Sequence, residues 1–230
     1  MMKIGGLQRV SLIEYPGKIC AIVFTQGCNF RCPYCYNTEL VEPKLYTDCL
    51  PEDEIFTFLK KRKGKLDAVT ITGGEPTIQN DLMEFIWYVK KMGYSIKMDT
   101  NGSQPAVIEK LISRKLLDYI AMDVKGPLAK YRIVTGSNVH EDEIKQSIEL
   151  IMKSGLPYEF RTTVLKQMLQ EDDILEIGKL IKNARLYILQ QFIPKRTLDK
   201  EFQNYKEYSQ EEMECLRGKL MKDLPVVLVR

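Results

Sequence analysis

The chain has 230 residues, of which 44% are hydrophobic and 28% are charged, and its formal net charge at pH 7 is +3. This length allows one large domain or two small ones with a substantial buried core. The small net charge gives no indication of a nucleic-acid or membrane partner, and no apolar run approaches the ~18 residues that span a bilayer. The first residues also lack the long apolar region of a signal peptide, so we expect a cytoplasmic protein whose thiols stay reduced.

Six apolar, β-branched runs predict buried strands at 20–25, 68–72, 95–100, 119–124, 158–164 and 186–192. Amphipathic patterns predict helices at 53–62, 80–92, 106–114, 141–154, 172–182 and 210–221. Because strands alternate with helices, we predict an α/β fold with a mostly parallel sheet and right-handed crossovers. A closed barrel of this kind needs eight units, so six units predict an open or partial barrel.

No low-complexity linker and no change in composition divides the chain, so we expect a single domain over residues 1–230. Its core is expected at about 18–195, and a C-terminal helix and strand at about 209–230. The apolar run 226–229 is the candidate for a terminal edge strand.

The stretches that carry chemistry follow the predicted strands, where such folds place their functional residues. They are GGEP at 73–76, DTNG at 99–102, DVKGP at 123–127, RTTV at 161–164 and QQF at 190–192. Three carboxylates (Glu75, Asp99 and Asp123), with Lys125 and Arg161, would therefore face one cavity. Such a set is a poor core and is typical of a site for a charged zwitterion.

Three of the six cysteines, Cys28, Cys32 and Cys35, lie close together in the stretch FTQGCNFRCPYCYN at 24–37. A structural zinc site needs four ligands, commonly in two pairs, and a disulfide framework belongs to small secreted chains. Three thiolates in C-x3-C-x2-C spacing instead favour a 4Fe–4S cluster that keeps one iron open for a small molecule.

A zinc-binding or electron-transfer protein without catalysis remains the distant alternative. In that case Cys20, Cys49 or His140 would complete the site. We interpret Cys20, Cys49 and Cys215 as packing or surface thiols. We expect His140, the only histidine, to be solvent-exposed beside a helix start.

The cysteine loop resembles that of the radical S-adenosylmethionine (SAM) enzymes, whose fold is a partial, TIM-like (β/α)6 barrel. Longer stretches resemble the activating enzymes of glycyl radical enzymes, and within that branch the activases of anaerobic ribonucleotide reductase: SLIEYPGKICAIVFTQGCNFRCPYCYN, AMDVKGPLAKYRIVTG and QQFIPKRTLDKEF. The resemblance implies an oxidoreductase with two cofactors, a 4Fe–4S cluster and SAM. It implies that the reduced cluster cleaves SAM to a 5′-deoxyadenosyl radical, which installs a glycyl radical on the reductase.

The resemblance also implies residue roles. The three clustered cysteines, Cys28, Cys32 and Cys35, would bind the cluster. Tyr34 would lie against the adenine, and the other SAM contacts would come from the strand ends: Gly73, Gly74, Glu75, Asp99, Asp123, Lys125, Arg161 and Phe192. Tyr36 departs from the family pattern, which commonly has histidine after the last cluster cysteine. That departure bears on the cluster potential and not on its ligation.

The partner implied is a glycyl radical enzyme, the anaerobic ribonucleotide reductase. A flavodoxin- or ferredoxin-like electron donor is also implied, since no cysteine-rich insert provides for a second cluster. A radical enzyme acting on another glycyl radical enzyme, or on a small molecule, would use the same site. A partial barrel with few insertions leaves its mouth open, which favours a macromolecular substrate.

Overall fold

One eight-stranded sheet forms the centre of the fold, and the computed structural model describes all residues from 1 to 230. Its strands lie side by side in chain order: β1 (Ile4–Tyr15), β2 (Lys18–Thr25), β3 (Ala68–Gly73), β4 (Ser95–Thr100), β5 (Tyr119–Asp123), β6 (Tyr158–Val164), β7 (Tyr187–Gln191) and β8 (Val227–Val229). β1 is antiparallel to β2, and every later neighbouring pair is parallel. The prediction of a partial, mostly parallel barrel is confirmed, because β1 and β8 each pair with one neighbour only.

Eight α-helices connect or flank these strands: α1 (Thr38–Val41), α2 (Glu52–Arg62), α3 (Leu82–Lys91), α4 (Pro105–Ser113), α5 (Tyr131–Thr135), α6 (Glu141–Lys153), α7 (Glu171–Leu180) and α8 (Gln210–Leu220). The six longer helices lie within two residues of their predicted bounds. The short helices α1 and α5 were not expected from the sequence. None of the helices combines the length and apolar character that crossing a bilayer requires.

Helix α6 illustrates why the amphipathic pattern was a reliable signal. Ile144, Ile148 and Ile151 recur at helical spacing and are all buried, whereas acidic residues open the helix. Burying each such side chain contributes about 1.5–3 kcal/mol before the cost of ordering it. Apolar side chains are buried in the same way around the barrel, where one cluster of 49 buried residues joins the sheet to the helices.

Strand β1 was not predicted from the sequence. Its burial does not alternate regularly, and its pairing with β2 contains three register shifts between Ile4 and Tyr15. Such bulges interrupt the two-residue period on which strand prediction depends. The hairpin reverses at Pro16 and Gly17, and Gly17 has the positive φ of 73° that favours glycine.

Candidate functional site

A cavity of about 360 Å³ opens at the carboxyl ends of the parallel strands. It is lined by every site residue that the sequence predicted except one: Cys28, Cys32, Tyr34, Cys35, Gly73, Gly74, Glu75, Asp99, Asp123, Lys125 and Arg161. The exception, Phe192, is fully buried behind the wall. Its ring stacks on Tyr36, which does line the cavity, with centroids 5.9 Å apart and planes at 10°. These residues follow the carboxyl ends of the strands in the sequence, and in the structure they therefore lie around one cavity.

The cysteine loop that follows β2 is fixed by the backbone of the β3 end. The Glu75 N–H donates to the Gly27 carbonyl at 2.8 Å, and the Gly74 N–H donates to the Thr25 carbonyl at 2.8 Å. A Cβ on Gly74 would lie 2.0 Å from the Gly27 oxygen. Only glycine allows this approach of two backbones at Gly74. Gly73 has a φ of 109°, and a Cβ there would lie 2.7 Å from the Thr25 nitrogen, so glycine is favoured at both positions.

The other end of the cysteine loop is held by the turn after α5. The Arg31 N–H donates to the Thr135 carbonyl at 2.9 Å. Gly136, with a φ of 60°, ends α5 and passes so close that a Cβ would lie 2.5 Å from the Arg31 oxygen. Asn101, from the loop after β4, donates to Asn29 Oδ1 at 2.9 Å. Loops from several strand ends thus shape one cysteine loop.

Burial governs the ionisation of the three thiols and favours their neutral form. Burial raises the pKa of Cys28 to about 12 and that of Cys32 to about 11, and burial also raises the pKa of Cys35. Buried thiols of this kind become thiolates when a metal centre supplies compensating positive charge. No three His, Cys, Asp or Glu side chains converge as the ligands of a single ion would. A cubane cluster does not require such convergence, because each thiolate binds a different iron atom.

The remaining cysteines and the histidine lie elsewhere. Cys20 is buried within β2, where it accepts from the Thr70 hydroxyl at 3.6 Å. Cys49 and Cys215 are exposed. His140 is exposed at the start of α6, as expected. None of the four lines the cavity, so none is placed to supply the fourth ligand that a zinc site would need.

A chain of alternating charges forms a second part of the cavity wall. Arg161 on β6 donates from Nε to Asp123 Oδ1 at 2.8 Å and from Nη1 to Asp99 Oδ2 at 3.1 Å. Lys125 donates to the other oxygen of Asp123 at 3.0 Å. The buried Lys97 pairs with Asp99 and extends the chain beneath the cavity.

These charges stabilise one another. Burial disfavours ionised Asp123, but Arg161 and Lys125 outweigh it and hold the pKa of this carboxyl well below its usual range. Burial likewise disfavours charged Lys125 and Arg161, yet their carboxylate neighbours raise both pKa values well above normal. Asp123, Lys125 and Arg161 are therefore held in their charged forms, and together they offer both signs of charge to a ligand.

Glu75 is held by the protein itself. Its Oε1 accepts from the Thr100 hydroxyl at 2.7 Å and from the backbone and hydroxyl of Thr77, and its Oε2 accepts from the Asn101 N–H at 2.7 Å. Burial raises the pKa of Glu75, and these hydrogen bonds oppose the shift. The carboxylate thus joins the loops after β3 and β4, and only Oε2, with a single partner, has spare accepting capacity.

Tyr34 carries the one polar atom of the cavity wall that is buried without a partner. Its Oη is shielded from water and meets the distance and angle of no hydrogen bond, although it lies close enough to the Cys32 thiol to lower that thiol's pKa against the larger effect of burial. An unpaired buried hydroxyl costs about 1–3 kcal/mol, so its presence is typical of a site that a ligand completes.

Several residues that shape the site were not assigned a role from the sequence. Lys97 was not predicted, and Asn101 and Gly136 appeared only as members of the DTNG and AMDVKGPLAKYRIVTG stretches, with no role assigned to them. Glu14 on β1 also lines the cavity. Glycine after a short helix was the only available signal for Gly136. The sequence contains no such signal for Lys97 or Glu14, because the positions of these two residues relative to the cavity depend on the curvature of the sheet.

Comparison with known proteins gives consistent matches. The model of the radical SAM superfamily matches residues 22–181. A Methanocaldococcus jannaschii protein assigned as a glycyl-radical enzyme activating enzyme is 38% identical over 227 residues, which cover 95% of this chain and 91% of that protein. The pyruvate formate-lyase-activating enzyme of Clostridium pasteurianum is 26% identical over 86% of this chain and 84% of its own length.

Two further matches are more distant. An assigned GTP 3′,8-cyclase of Pyrococcus horikoshii is 27% identical, and the match covers 79% of this chain and 58% of the cyclase. Among solved structures, QueE from Escherichia coli superimposes with a TM-score of 0.61 at 14% identity, over 100% of this chain and 93% of QueE. The second match concerns the fold alone.

Proposed function

This chain belongs to the radical SAM superfamily and is homologous to glycyl-radical enzyme activating enzymes, and we propose that it installs a glycyl radical on an anaerobic ribonucleotide reductase. It is therefore an enzyme. The observation that carries the proposal is that one cavity unites the C-x3-C-x2-C thiols with paired side chains of both charge signs, Asp123 with Lys125 and Arg161. The match of the M. jannaschii activating enzyme over nearly the whole of both chains supports an activase.

The superfamily uses a 4Fe–4S cluster and SAM, and the residues of the cavity fit both. Cys28, Cys32 and Cys35 would hold the cluster, since the buried thiol of Cys32 and the half-buried thiols of Cys28 and Cys35 share one loop and no fourth ligand lies beside them. When bound, the two cofactors supply radical chemistry strong enough to remove hydrogen from an unactivated carbon.

The charged wall would orient the SAM zwitterion. Asp123 presents a carboxylate toward ammonium and hydroxyl groups, and Lys125 presents an ammonium toward a carboxylate. Arg161, which is itself fixed by its bond to Asp99, keeps Asp123 in place, so the charge of Asp123 does not need to reorganise when a ligand binds.

The remaining predicted contacts have less direct roles in this proposal. The unpaired Tyr34 hydroxyl would gain a partner at the adenine end. Gly73 and Gly74 would offer backbone to the methionine amino group, together with the spare capacity of Glu75 Oε2. Phe192 would act through Tyr36, which it supports from behind.

The choice of the reductase rests on the resemblance of three stretches at 11–37, 121–136 and 190–202. Activating enzymes act on glycyl radical enzyme partners, and the open barrel leaves room for a protein loop. We propose a flavodoxin- or ferredoxin-like donor for the electron, and a cytoplasmic location where the thiols stay reduced.

A small-molecule substrate is the second candidate, and the match to the GTP 3′,8-cyclase favours it. That match leaves more than a third of the cyclase uncovered, whereas the activating enzymes are covered for 91% and 84% of their lengths. The length comparison therefore favours an activase.

Electron paramagnetic resonance (EPR) tests the proposal. The anaerobically reconstituted protein, with dithionite and SAM, is mixed with the ribonucleotide reductase of the same organism. We expect a glycyl doublet together with 5′-deoxyadenosine, and neither with the Cys32→Ala variant. A doublet that forms only with a pyruvate formate-lyase would reject the reductase as target and keep the activase. Turnover of GTP without any doublet would reject the activase.

A further inference from the structure

Lys97 is a buried charged side chain of the barrel that does not line the cavity. It lies on β4 two residues before Asp99, so both side chains point to the same face of the strand. Only 1% of Lys97 is exposed, and Asp99 is the one carboxylate with which it pairs. Because an unpaired buried charge is costly, the ammonium of Lys97 depends on this partner.

Asp99 has a partner from the protein on each of its two oxygens. The Lys97 Nζ donates to Oδ1, whereas Oδ2 accepts from Arg161 Nη1 at 3.1 Å and from the Thr72 hydroxyl at 3.2 Å. Asp99 is buried, although it lines the cavity. Its carboxylate is therefore engaged by the protein, and through it Lys97 is linked to Arg161.

Arg161 is shared between two carboxylates that are arranged alike. Asp99 and Asp123 each bond to Arg161, and each also pairs with a lysine two residues away in the sequence. For Asp99 this lysine is Lys97, and for Asp123 it is Lys125. These five side chains form one charge row, in which neither carboxylate depends on Arg161 alone.

The charge row predicts what loss of the Lys97 charge would do. Asp99 would keep Arg161 as its only cation, and the guanidinium would be drawn toward Asp99 and away from Asp123. Asp123 would then hold Lys125 more tightly, because Lys125 would be its nearest remaining cation. The ammonium of Lys125 would therefore be less available to the carboxylate of a ligand.

We infer that Lys97 is a positioning residue for the cofactor site, because its charge on Asp99 keeps the cation at the other end of the charge row, Lys125, available to the ligand. The inference rests on the proposed function, since it takes the cavity as the SAM site. Lys97 does not touch the ligand, and its effect passes through the hydrogen bonds of Asp99 and Arg161.

A double-mutant cycle on the reconstituted holoprotein tests the inference. The cycle contains wild type, Lys97→Gln, Lys125→Met and the variant with both changes, and the SAM Kd is measured by anaerobic EPR titration of the reduced cluster. Glutamine removes the charge of Lys97 but retains a group that can donate to Asp99. Iron content and the unfolding temperature of the cluster-free chain are measured for each variant.

Tyr94→Phe is the matched control for Lys97→Gln. The buried Tyr94 hydroxyl donates to the Leu59 carbonyl at 2.7 Å just before β4, and Tyr94 does not line the cavity. Its loss disturbs buried structure next to β4 without touching the charge row. Tyr94→Phe and Lys125→Met should therefore be additive, so that the effect of each on the SAM Kd is the same in either background to within about 2-fold.

We expect Lys97→Gln to keep its iron and to weaken SAM binding by about 10-fold. The loss caused by Lys125→Met should be at least about 3-fold smaller in the Lys97→Gln background than in wild type, because the Lys125 ammonium is already withdrawn onto Asp123. Lys97→Arg, which keeps the charge, should bind SAM more tightly than Lys97→Gln.

Additive losses in the cycle, or an unchanged SAM Kd of Lys97→Gln with full iron, would overturn the inference. Lys97→Met, which fills the space of the buried stem, replaces Lys97→Gln in the cycle if the glutamine variant does not fold. If neither variant folds, Lys97 serves the fold and the inference is overturned. Wild-type protein that carries its cluster but does not bind SAM would instead reject the proposed function, so the two failures are distinguishable.

Discussion

Asp123 and Arg161 face each other as register partners on the adjacent parallel strands β5 and β6, and the Arg161 Nε lies 2.8 Å from Asp123 Oδ1. The pair is closed from the other side by Lys125, so one carboxylate at the cavity wall is held by two cations. This geometry links the site to stability, because a carboxylate that is held ionised in the folded state makes folding depend on pH.

The first prediction concerns acid stability. The pKa of Asp123 in the folded chain lies below its usual value of 3.8, because Arg161 and Lys125 outweigh burial. Its contribution to stability is therefore fully present above the unfolded-state pKa and is lost as the pH falls through the folded-state pKa. We expect Asp123→Asn to lower the free energy of unfolding at pH 7 by about 1–3 kcal/mol, with a smaller difference below pH ~4.

Denaturant unfolding of the cluster-free chain at pH 7, 5 and 3 measures this difference. Asp142→Asn is a suitable control, since the Asp142 side chain is exposed and pairs only with Lys145 on its own helix. A difference between wild type and Asp123→Asn that stays constant to pH 3 would contradict the prediction.

The second prediction concerns the contact between two backbones at Gly74. Because a Cβ there would lie 2.0 Å from the Gly27 oxygen, Gly74→Ala must displace either the cysteine loop or the end of β3. We expect a loss of about 1–3 kcal/mol in stability, as in other overpacked sites, and reduced iron incorporation. Thermal unfolding and an iron assay measure the two effects.

Gly218→Ala is the matched control for Gly74→Ala. Gly218 lies within helix α8, and no heavy atom lies within 4 Å of the position that its Cβ would take. Alanine should therefore stabilise this helix by about 0.5–1 kcal/mol. If Gly74→Ala and Gly218→Ala changed the stability equally, the close contact at Gly74 would not exclude a side chain at that position.

The predictable part of the fold depended on local signals. Strands β2 to β7 were identified because β-branched runs are continuous where a strand is buried on both faces, as in Ala68–Gly73. Helices such as α6 were identified from their apolar stripe. Strand β1 was missed because its bulges remove the alternation, although its pairing with β2 is extensive.

The sequence was sufficient to predict which loops meet at the site. It was not sufficient to predict which side chains form pairs there. The expectation that functional residues lie at the carboxyl ends of parallel strands is sufficient to place Asp99, Asp123 and Arg161 around one cavity. That Arg161 bonds both carboxylates depends on the register of three strands, which no local pattern encodes. The burial of Lys97 depends in the same way on the curvature of the sheet.

The third prediction separates the six cysteines. Cys28→Ala, Cys32→Ala and Cys35→Ala should each abolish cluster assembly, because one iron would lose its anionic ligand. Cys20→Ala, Cys49→Ala and Cys215→Ala should keep wild-type iron and sulfide, since none of these thiols lines the cavity. Complete iron loss from Cys49→Ala would indicate a four-cysteine site and contradict an open iron.

The last prediction concerns cofactor binding at Lys125. Its ammonium lines the cavity and pairs with Asp123, which keeps a second partner in Arg161 when Lys125 is removed. Lys125→Met should therefore fold and assemble its cluster, yet lose a charge-assisted contact to SAM worth about 1.5–3 kcal/mol, or roughly 10- to 100-fold in Kd. Anaerobic EPR titration of the reduced cluster with SAM measures this loss. Lys130→Met removes a comparable ion pair with Asp173 at 2.7 Å outside the cavity, and it should keep wild-type affinity. If Lys125→Met bound SAM as tightly as Lys130→Met, the end of β5 would not belong to the cofactor site, and the charged wall would serve the fold alone.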